Sequence, residues 1–246
     1  AKPITFLDYI ANDKLDPNRI SEIVEGMVNA CRETGVSLVG GETAEMPDTY
    51  LPGEHDLVGI ITGVVDRNKI ITGENIQPGD VLLGLPSNGL HTNGYSLARK
   101  VFFDISGYSV DTFLDSLGCT VGESLLEPHI NYTNHVLCTL NTNEPVKGIA
   151  HITGGGLTEN IPRILPKGCS VNVERGTWPN LPVFDTIEEL GNIEVEEMYR
   201  AFNMGIGMVF IVDEKSVDTI TKSLKNITPV FNMGTIDKGE GQINYV

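Results

Sequence analysis

Two glycines followed directly by a carboxylate and a hydroxyl are the residues of this sequence best suited to bind a metal ion beside a phosphate. Gly40 and Gly41 end the apolar run Leu38-Val39, and Glu42 and Thr43 come next. Glycine exposes backbone N–H groups to a close ligand, and a carboxylate oxygen is a preferred ligand of Mg²⁺. We therefore expect Glu42 to bind a metal ion, and Thr43 to donate to a phosphate or a metal-bound water. A Glu42 that caps the turn or pairs with a nearby Lys or Arg fits the spacing equally well.

A second polar loop, Pro86–Gly94, follows the apolar run Val81–Leu85 and contains His91 and Asn93. Its histidine lies between glycines and not on an apolar face, which argues against a role in the core. With Asn93 close by, His91 could donate to a phosphoryl oxygen or move a proton near neutral pH. We predict that His91 and Asn93 are catalytic. Three other histidines are expected at the surface or in local hydrogen bonds: His55, His129 and His135.

A third loop contains three consecutive glycines, Gly154, Gly155 and Gly156, and precedes a predicted helix that runs through Ile164. Free N–H groups and the dipole at a helix N-terminus favour an anion, so these glycines are a candidate phosphate cradle. No Gly-Lys-Ser/Thr follows, and Gly-x-Gly-x-x-Gly is absent, which excludes the Walker and dinucleotide-binding motifs. His151, just before this loop, either points into the site or supports the turn.

The net charge indicates which classes of binding partner the chain is suited to. It contains 33 acidic and 17 basic side chains, for a formal net charge of −16. Such a surface disfavours general affinity for a nucleic-acid backbone or an anionic membrane, and small ligands are the better expectation. No apolar run reaches the ~20 residues of a membrane span. The four cysteines show no Cys-x-x-Cys spacing, so we expect unpaired thiols in a reducing cytoplasm.

Alternating elements must position these loops. In the first part we expect a strand at 4–9, a helix from Asp16-Pro17 to Gly35, a strand at 37–39 that ends at the double glycine, and a mostly buried strand at 57–65. A turn-rich segment at 71–80 separates this part from the next. The second part has predicted strands at 81–85, 148–152, 208–212 and 230–236, and predicted helices at 95–103, 131–140, through 164 and through 224. The pattern favours an α/β or α+β architecture in two domains, 1–74 and 75–246.

Six blocks of this chain resemble phosphoribosylformylglycinamidine cyclo-ligase, also called aminoimidazole ribonucleotide synthetase. They occur in that family's order across nearly the whole chain. The blocks are FLDY at 6–9, LVGGETAEMP at 38–47, GDV at 79–81, GLHTNGYSL at 89–97, AHITGGGLTENIPRIL at 150–165, and EMYR with FNMGIG at 197–207. The Gly-Gly-Glu/Asp element alone is shared with relatives that phosphorylate hydrogenase-maturation, thiamine or selenium substrates.

The resemblance implies a two-domain aminoimidazole ribonucleotide synthetase-like fold and an ATP- and Mg²⁺-dependent ring closure of formylglycinamidine ribonucleotide. The first domain would build much of the nucleotide and metal site and pair with its copy in a homodimer. By motif match, Gly40, Gly41, Glu42 and Thr43 would bind nucleotide and Mg²⁺. His91 and Asn93 would meet the substrate or the transferring phosphoryl group, while His151 and 154–156 would bind substrate, with the glycines at a phosphate.

Two departures from the family pattern accompany the resemblance. The family's opening glycine-rich, Ser-Gly-Thr-Asp-Gly-Val-Gly-Thr-Lys-like and Asn-Asp segments are not in this sequence, which leaves the first domain incomplete. We therefore expect that the 246 residues alone do not cyclise substrate. His129-Ile130 also stand where the family often has Thr-Arg or Thr-Lys. A paralogous ATP-dependent phosphotransferase and a noncatalytic dimerisation or binding module remain the alternative functions.

Overall fold

The computed structural model describes all residues from Ala1 to Val246, and it contains both helices and strands, as the sequence predicts. The chain divides into two compact units, Ala1–Ile70 and Ile71–Val246. Each unit has a sheet of its own. None of the helices combines the length and the apolar character that a membrane crossing requires.

The N-terminal unit is a three-stranded sheet in the order β2-β1-β3, with one helix between β1 and β2. Its elements are β1 (Lys2–Asn12), α1 (Pro17–Thr34), β2 (Ser37–Glu45) and β3 (His55–Val64). The predicted limits of α1 are confirmed, because Asp16 accepts from the backbone N–H of Asn18 and Gly35 ends the helix with a left-handed φ of 68°.

The expectation that β2 ends at the double glycine is wrong. The strand continues to Glu45 and pairs in parallel with β1, with a bulge where Phe6 opposes Leu38 and Leu7 opposes Gly40. A Cβ on Gly41 would collide with the carboxylate of Asp8 on β1. Glycine at this position therefore allows close strand contact within the sheet, and it does not mark a turn.

The expectation that the 57–65 run is mostly buried is also wrong. Every residue of β3 is exposed, including Ile60 and Ile61 at 51% and 61%. β3 is an edge strand that pairs only with β1. The apolar run correctly indicates a strand, but burial depends on what covers it.

The C-terminal unit is built on a six-stranded sheet in the order β11-β8-β10-β4-β9-β7, and a two-stranded hairpin, β5-β6, lies apart from it. All neighbours in the large sheet are antiparallel except β11 and β8. The strands are β4 (Val81–Pro86), β5 (Phe113–Leu114), β6 (Cys119–Thr120), β7 (Val146–His151), β8 (Cys169–Val173), β9 (Ile206–Val212), β10 (Phe231–Lys238) and β11 (Ile243–Tyr245). The helices are α2 (Tyr95–Arg99), α3 (Val121–Leu125), α4 (Thr133–Leu140), α5 (Gly156–Asn160), α6 (Pro182–Gly191), α7 (Val195–Ala201) and α8 (Val217–Leu224).

The central strands β4 and β9 divide the core of this unit into two layers. Leu82 packs into one hydrophobic cluster with Phe102 and Phe202, whereas Leu83 packs into a second cluster with Phe210. Because side chains alternate along a strand, the two clusters lie on opposite faces of the sheet. Helices thus cover both faces, and β4 and β9 provide a rigid support for the loops that follow them.

Two predicted helices are shorter or less regular than expected. The helix from Tyr95 is α-helical only to Arg99 and continues as a π-helix over Lys100–Ile105. The helix after the triple glycine ends at Asn160, and a 3₁₀ turn follows over Pro162–Ile164. Proline has no backbone N–H to donate, so Pro162 interrupts the α-helical ladder.

Candidate active site

The loop between β4 and α2 holds two residues in the left-handed backbone region. His91 has φ 51° and Thr92 has φ 59°, and Gly94 follows with φ 74°. Non-glycine residues adopt this region rarely and at a cost, so the surrounding structure must hold the loop in place. Buried Asn203 helps to do so, because its Oδ1 accepts from Ser87 Oγ at 2.7 Å and from Gly205 N at 2.9 Å.

His91 is buried, with 1% of its surface exposed, although its position in a polar loop predicts the opposite. Burial, and to a smaller extent the neighbouring His129 and His151, lower the pKa of His91 to about 3. The imidazole is therefore neutral at pH 7. The sequence suggests two roles for His91, a hydrogen bond to a phosphoryl oxygen and proton transfer near neutral pH. A histidine that stays neutral at pH 7 fits the hydrogen bond and does not fit the proton transfer.

Three histidines from separate parts of the chain meet at this loop. The ring of His129 stacks on that of His91 with centroids 4.1 Å apart and planes inclined by 16°. His129 Nε2 also lies 3.2 Å from His151 Nε2. The sequence predicts His129 only at the surface or in local hydrogen bonds, because it lies outside the glycine loops, and its place in this cluster was not predicted. The available signal was the pair His129-Ile130, which stands where the family often has Thr-Arg or Thr-Lys.

The polar loop and the triple glycine are neighbours in space. A Cβ on Gly154 would lie 3.7 Å from Asn93 Oδ1, and Asn93 Nδ2 donates to the carbonyl oxygen of His91 at 2.6 Å. Asn160 stabilises the glycine loop, because its Nδ2 donates to the carbonyl oxygens of Gly154 at 3.2 Å and Gly156 at 2.8 Å. The structure thus brings together four of the predicted positions: His91, Asn93, His151 and Gly154.

The triple glycine differs from the predicted phosphate cradle in two respects. Helix α5 after it has only five residues, so it contributes a small dipole. The Glu159 carboxylate also lies against Gly155, where a Cβ would be 2.6 Å from Glu159 Oε2. Arg163 pairs with Glu159 at 3.7 Å. An anion at Gly155 requires Glu159 to turn away and to give up its ion pair with Arg163, whose Nη1 also donates to Asn160 Oδ1 at 3.1 Å.

Glu42 and Thr43 lie on β2 of the N-terminal unit and are both exposed. Asp8 and Gly41 are directly paired, and side chains alternate along a strand, so Thr43 shares the Asp8 face while Glu42 is on the opposite face. The Glu42 carboxylate and the Thr43 hydroxyl therefore leave β2 on opposite faces. The roles of Glu42 at a metal ion and of Thr43 at a phosphate or metal-bound water stay predictions.

A magnesium site at Glu42 would contain one carboxylate from this chain. No group of three His, Cys, Asp or Glu side chains is arranged to hold a metal ion. The Glu42 Oε1 atom accepts only the local N–H of Thr43, at 3.1 Å. Magnesium is commonly bound by one or two carboxylates together with substrate phosphates and water, so Glu42 fits such an ion when a nucleotide supplies further oxygens.

The fold and these loops define a two-domain protein related to AIR synthase. The family described as AIR synthase related protein, N-terminal domain, matches residues 1–65, and the corresponding C-terminal domain matches residues 77–245. The phosphoribosylformylglycinamidine cyclo-ligase of Brevibacillus brevis is 46% identical over 246 residues, which are 100% of this chain and 71% of that protein. That of Trichlorobacter lovleyi is 49% identical over 227 residues, or 92% of this chain and 65% of that protein. The chain belongs to the phosphoribosylformylglycinamidine cyclo-ligase family, whose members are ligases.

Solved structures with the same fold are far less similar in sequence. The hydrogenase maturation protein HypE of E. coli has a TM-score of 0.71 at 17% identity and matches 100% of this chain and 70% of its own. Thiamine-monophosphate kinase from Stenotrophomonas maltophilia has a TM-score of 0.71 at 15% identity, with 100% and 72% covered. HypE in complex with ATP has a TM-score of 0.67 at 18% identity, with 99% and 70% covered. At these identities the comparison shows a common fold.

Proposed function

We propose that this protein closes the imidazole ring of aminoimidazole ribonucleotide, using formylglycinamidine ribonucleotide and ATP, in de novo purine biosynthesis. The observation that carries the proposal is the 46% identity to a named cyclo-ligase along all 246 residues. The reaction forms a C–N bond and releases ADP and phosphate. The kinase and HypE structures match the fold at 15–18% identity, which favours the cyclo-ligase over a paralogous phosphotransferase.

ATP and Mg²⁺ are the proposed cofactors. An amide oxygen is a poor leaving group, and ATP supplies the phosphoryl group that makes it a good one. The ATP complex of HypE, which has the same fold, supports nucleotide binding. Glu42 would contribute a carboxylate to the metal, and the backbone of Gly40 and Gly41 would lie close to the nucleotide. Thr43 would bind a phosphate or a metal-bound water, either with its hydroxyl on the other face of β2 or with its backbone N–H.

His91, Asn93, His151 and the glycine loop would bind the ribonucleotide in the C-terminal unit. Neutral His91 offers a hydrogen-bonding nitrogen, and Asn93 projects toward Gly154. A ribose phosphate at 154–156 would displace Glu159 and meet Arg163. These groups position the reacting nitrogen and the activated oxygen, because the barrier falls when both are held in an attack geometry.

A homodimer in the cytoplasm is the proposed state of the full protein. β3 exposes apolar side chains on both faces, Leu57 and Ile61 on one and Val58 and Ile60 on the other, and a monomer rarely leaves so much apolar surface uncovered. All four cysteines are free thiols, which suits a reducing compartment. Light scattering during gel filtration would give the mass, and a monomer at micromolar concentration would contradict the dimer.

The test is an assay with purified formylglycinamidine ribonucleotide, ATP and Mg²⁺. The full-length gene product and the 246-residue chain are assayed side by side, because this chain spans 65–71% of the two relatives described above. We expect the full-length protein to form aminoimidazole ribonucleotide and ADP in equal amounts. Thiamine monophosphate serves as the competing substrate. Its phosphorylation without ring closure would establish the phosphotransferase, and ATP-independent binding alone would establish a noncatalytic module.

A further inference from the structure

A short chain of hydrogen bonds connects Glu127 to His91 through the side chain of Asn88. Asn88 Nδ2 lies 3.0 Å from Glu127 Oε1 and 2.9 Å from the carbonyl oxygen of Pro128. Both partners are acceptors, so the amide nitrogen, which donates two hydrogens, must face them. The amide oxygen of Asn88 consequently faces His91.

This orientation determines which nitrogen of His91 carries the proton. His91 Nε2 lies 2.6 Å from Asn88 Oδ1, an oxygen without a hydrogen, so Nε2 must be the donor. The backbone N–H groups of Asn88 and Ile130 also point at Nε2, each at 3.4 Å, and they would suit the opposite tautomer. The much shorter contact to Oδ1 outweighs them, since hydrogen bonds weaken with length.

The same tautomer leaves His91 Nδ1 as an unprotonated acceptor. This atom is buried and has no hydrogen-bond partner. An unsatisfied buried polar atom typically costs about 1–3 kcal/mol, and such atoms in a native structure call for an explanation. A donor on a bound ligand would remove this cost. The left-handed backbone at His91 and Thr92 is a further strain in the same loop.

We propose that Asn88, oriented by Glu127, is a positioning residue that holds His91 in the Nε2–H tautomer and so reserves Nδ1 to accept a hydrogen bond from an N–H or O–H group of the ligand. The choice of ligand rests on the proposed function, in which an amidine or amide N–H of the ribonucleotide is the donor. The tautomer itself does not depend on that function. His129, His151 and Tyr132 surround the ring but do not bond to Nδ1.

The tautomer can be measured directly by long-range ¹H–¹⁵N NMR of the imidazoles at pH 7.5 in the full-length protein, with His91→Gln used to assign the signals. We expect a protonated Nε2 and an unprotonated Nδ1 in the wild type. In Asn88→Ala, the backbone N–H groups of Asn88 and Ile130 become the partners of Nε2, so the proton should move to Nδ1. Asn244→Ala, which removes an exposed amide on β11 with one side-chain bond, is the control and should leave the tautomer unchanged.

Either of two results would overturn the proposal: an Nδ1–H tautomer in the wild type, or an unchanged Nε2–H tautomer in Asn88→Ala. The wild-type measurement is decisive even where Asn88→Ala fails to fold. In the cyclisation assay, Asn88→Ala should lower kcat/KM by roughly 10- to 100-fold, as the loss of an orienting partner does elsewhere. A wild type with the Nε2–H tautomer but without cyclisation would instead contradict the proposed function alone.

Discussion

The side-chain nitrogen of Asn203 donates to the carbonyl oxygen of Gly89 at 2.8 Å, and this bond joins the approach to β9 to the loop that carries His91. Asn203 is 1% exposed, and its Oδ1 binds Ser87 and Gly205 at the same time. Two of these bonds go to the loop that carries His91, at Ser87 and Gly89, and the third goes to Gly205, which directly precedes β9. One buried amide therefore holds the candidate site against the rigid centre of the sheet.

Asn203→Asp should destabilise the protein by about 1–3 kcal/mol or more. The carboxylate cannot donate a hydrogen bond to the carbonyl oxygen of Gly89, which would then lie buried without a donor. Urea unfolding followed by far-UV circular dichroism measures the change. Asn244→Asp, an exposed position on β11, should stay within about 0.5 kcal/mol of wild type. Equal stability of Asn203→Asp and wild type would show that the buried amide does not hold the loop.

Gly156→Ala should be more destabilising than Gly168→Ala. Both glycines have a left-handed φ, 56° and 87°, so both substitutions strain the backbone. A Cβ at Gly156 would also collide with the carbonyl oxygens of Tyr199 and Phe202, whereas a Cβ at Gly168 meets nothing within 4 Å. We expect Gly156→Ala to cost about 1–3 kcal/mol more. Thermal unfolding of the two variants compares them, and equal losses would mean that α7 moves aside without cost.

Stability should fall as the pH decreases from about 6.5 toward 3. The pKa of His91 is lowered to about 3 by burial, and burial also lowers the pKa values of His129, His135 and His151. In this window the unfolded chain binds protons that the folded His91 does not bind. The slope from His91 alone is about 1.4 kcal/mol per pH unit, and full stability is present above the ordinary histidine pKa. Urea unfolding at pH 7.5, 6.5, 5.5 and 4.5 should therefore show a smaller slope in His91→Gln than in the wild type. Parallel pH profiles would contradict this assignment.

The sequence predicts most elements of the fold because they depend on local patterns. The cap at Asp16, the stop at Gly35 and the apolar runs of β4 and β9 each specify an element without reference to distant residues. The path of β2 through Gly40 and Gly41 depends on the neighbouring strand, since Asp8 occupies the space beside Gly41. The exposure of β3 likewise depends on what covers it. Neither can be deduced from local periodicity.

The histidine cluster was predicted only in part for the same reason. Spacing drew attention to His91 and His151, but the stacking partner His129 comes from a separate turn and meets them only in the folded sheet. The burial of His91 also follows from tertiary contacts, because a glycine-rich loop is exposed in most proteins. Conversely, the adjacency of Asn93 and Gly154 agrees with the expectation that the two loops belong to one site, whose roles stay predictions.

Glu42→Gln should weaken Mg²⁺-dependent nucleotide binding in the full-length protein. Glutamine keeps the size of the side chain and the acceptor for the Thr43 N–H, which Glu42 Oε1 now binds at 3.1 Å, but it removes the charge that attracts a divalent cation. Calorimetric titration with ATP, with and without Mg²⁺ in excess over the nucleotide, separates metal-dependent from metal-independent affinity. We expect roughly a 10-fold or greater loss of ATP affinity in the presence of Mg²⁺, since charged ligands dominate such sites, and little change in its absence.

Glu45→Gln is the matched control, because Glu45 is exposed on the same strand and its Oε2 accepts from the N–H of Leu15 at 2.9 Å. An equal loss in both variants would reflect the general charge of β2, and an unchanged Glu42→Gln would remove Glu42 from the metal site.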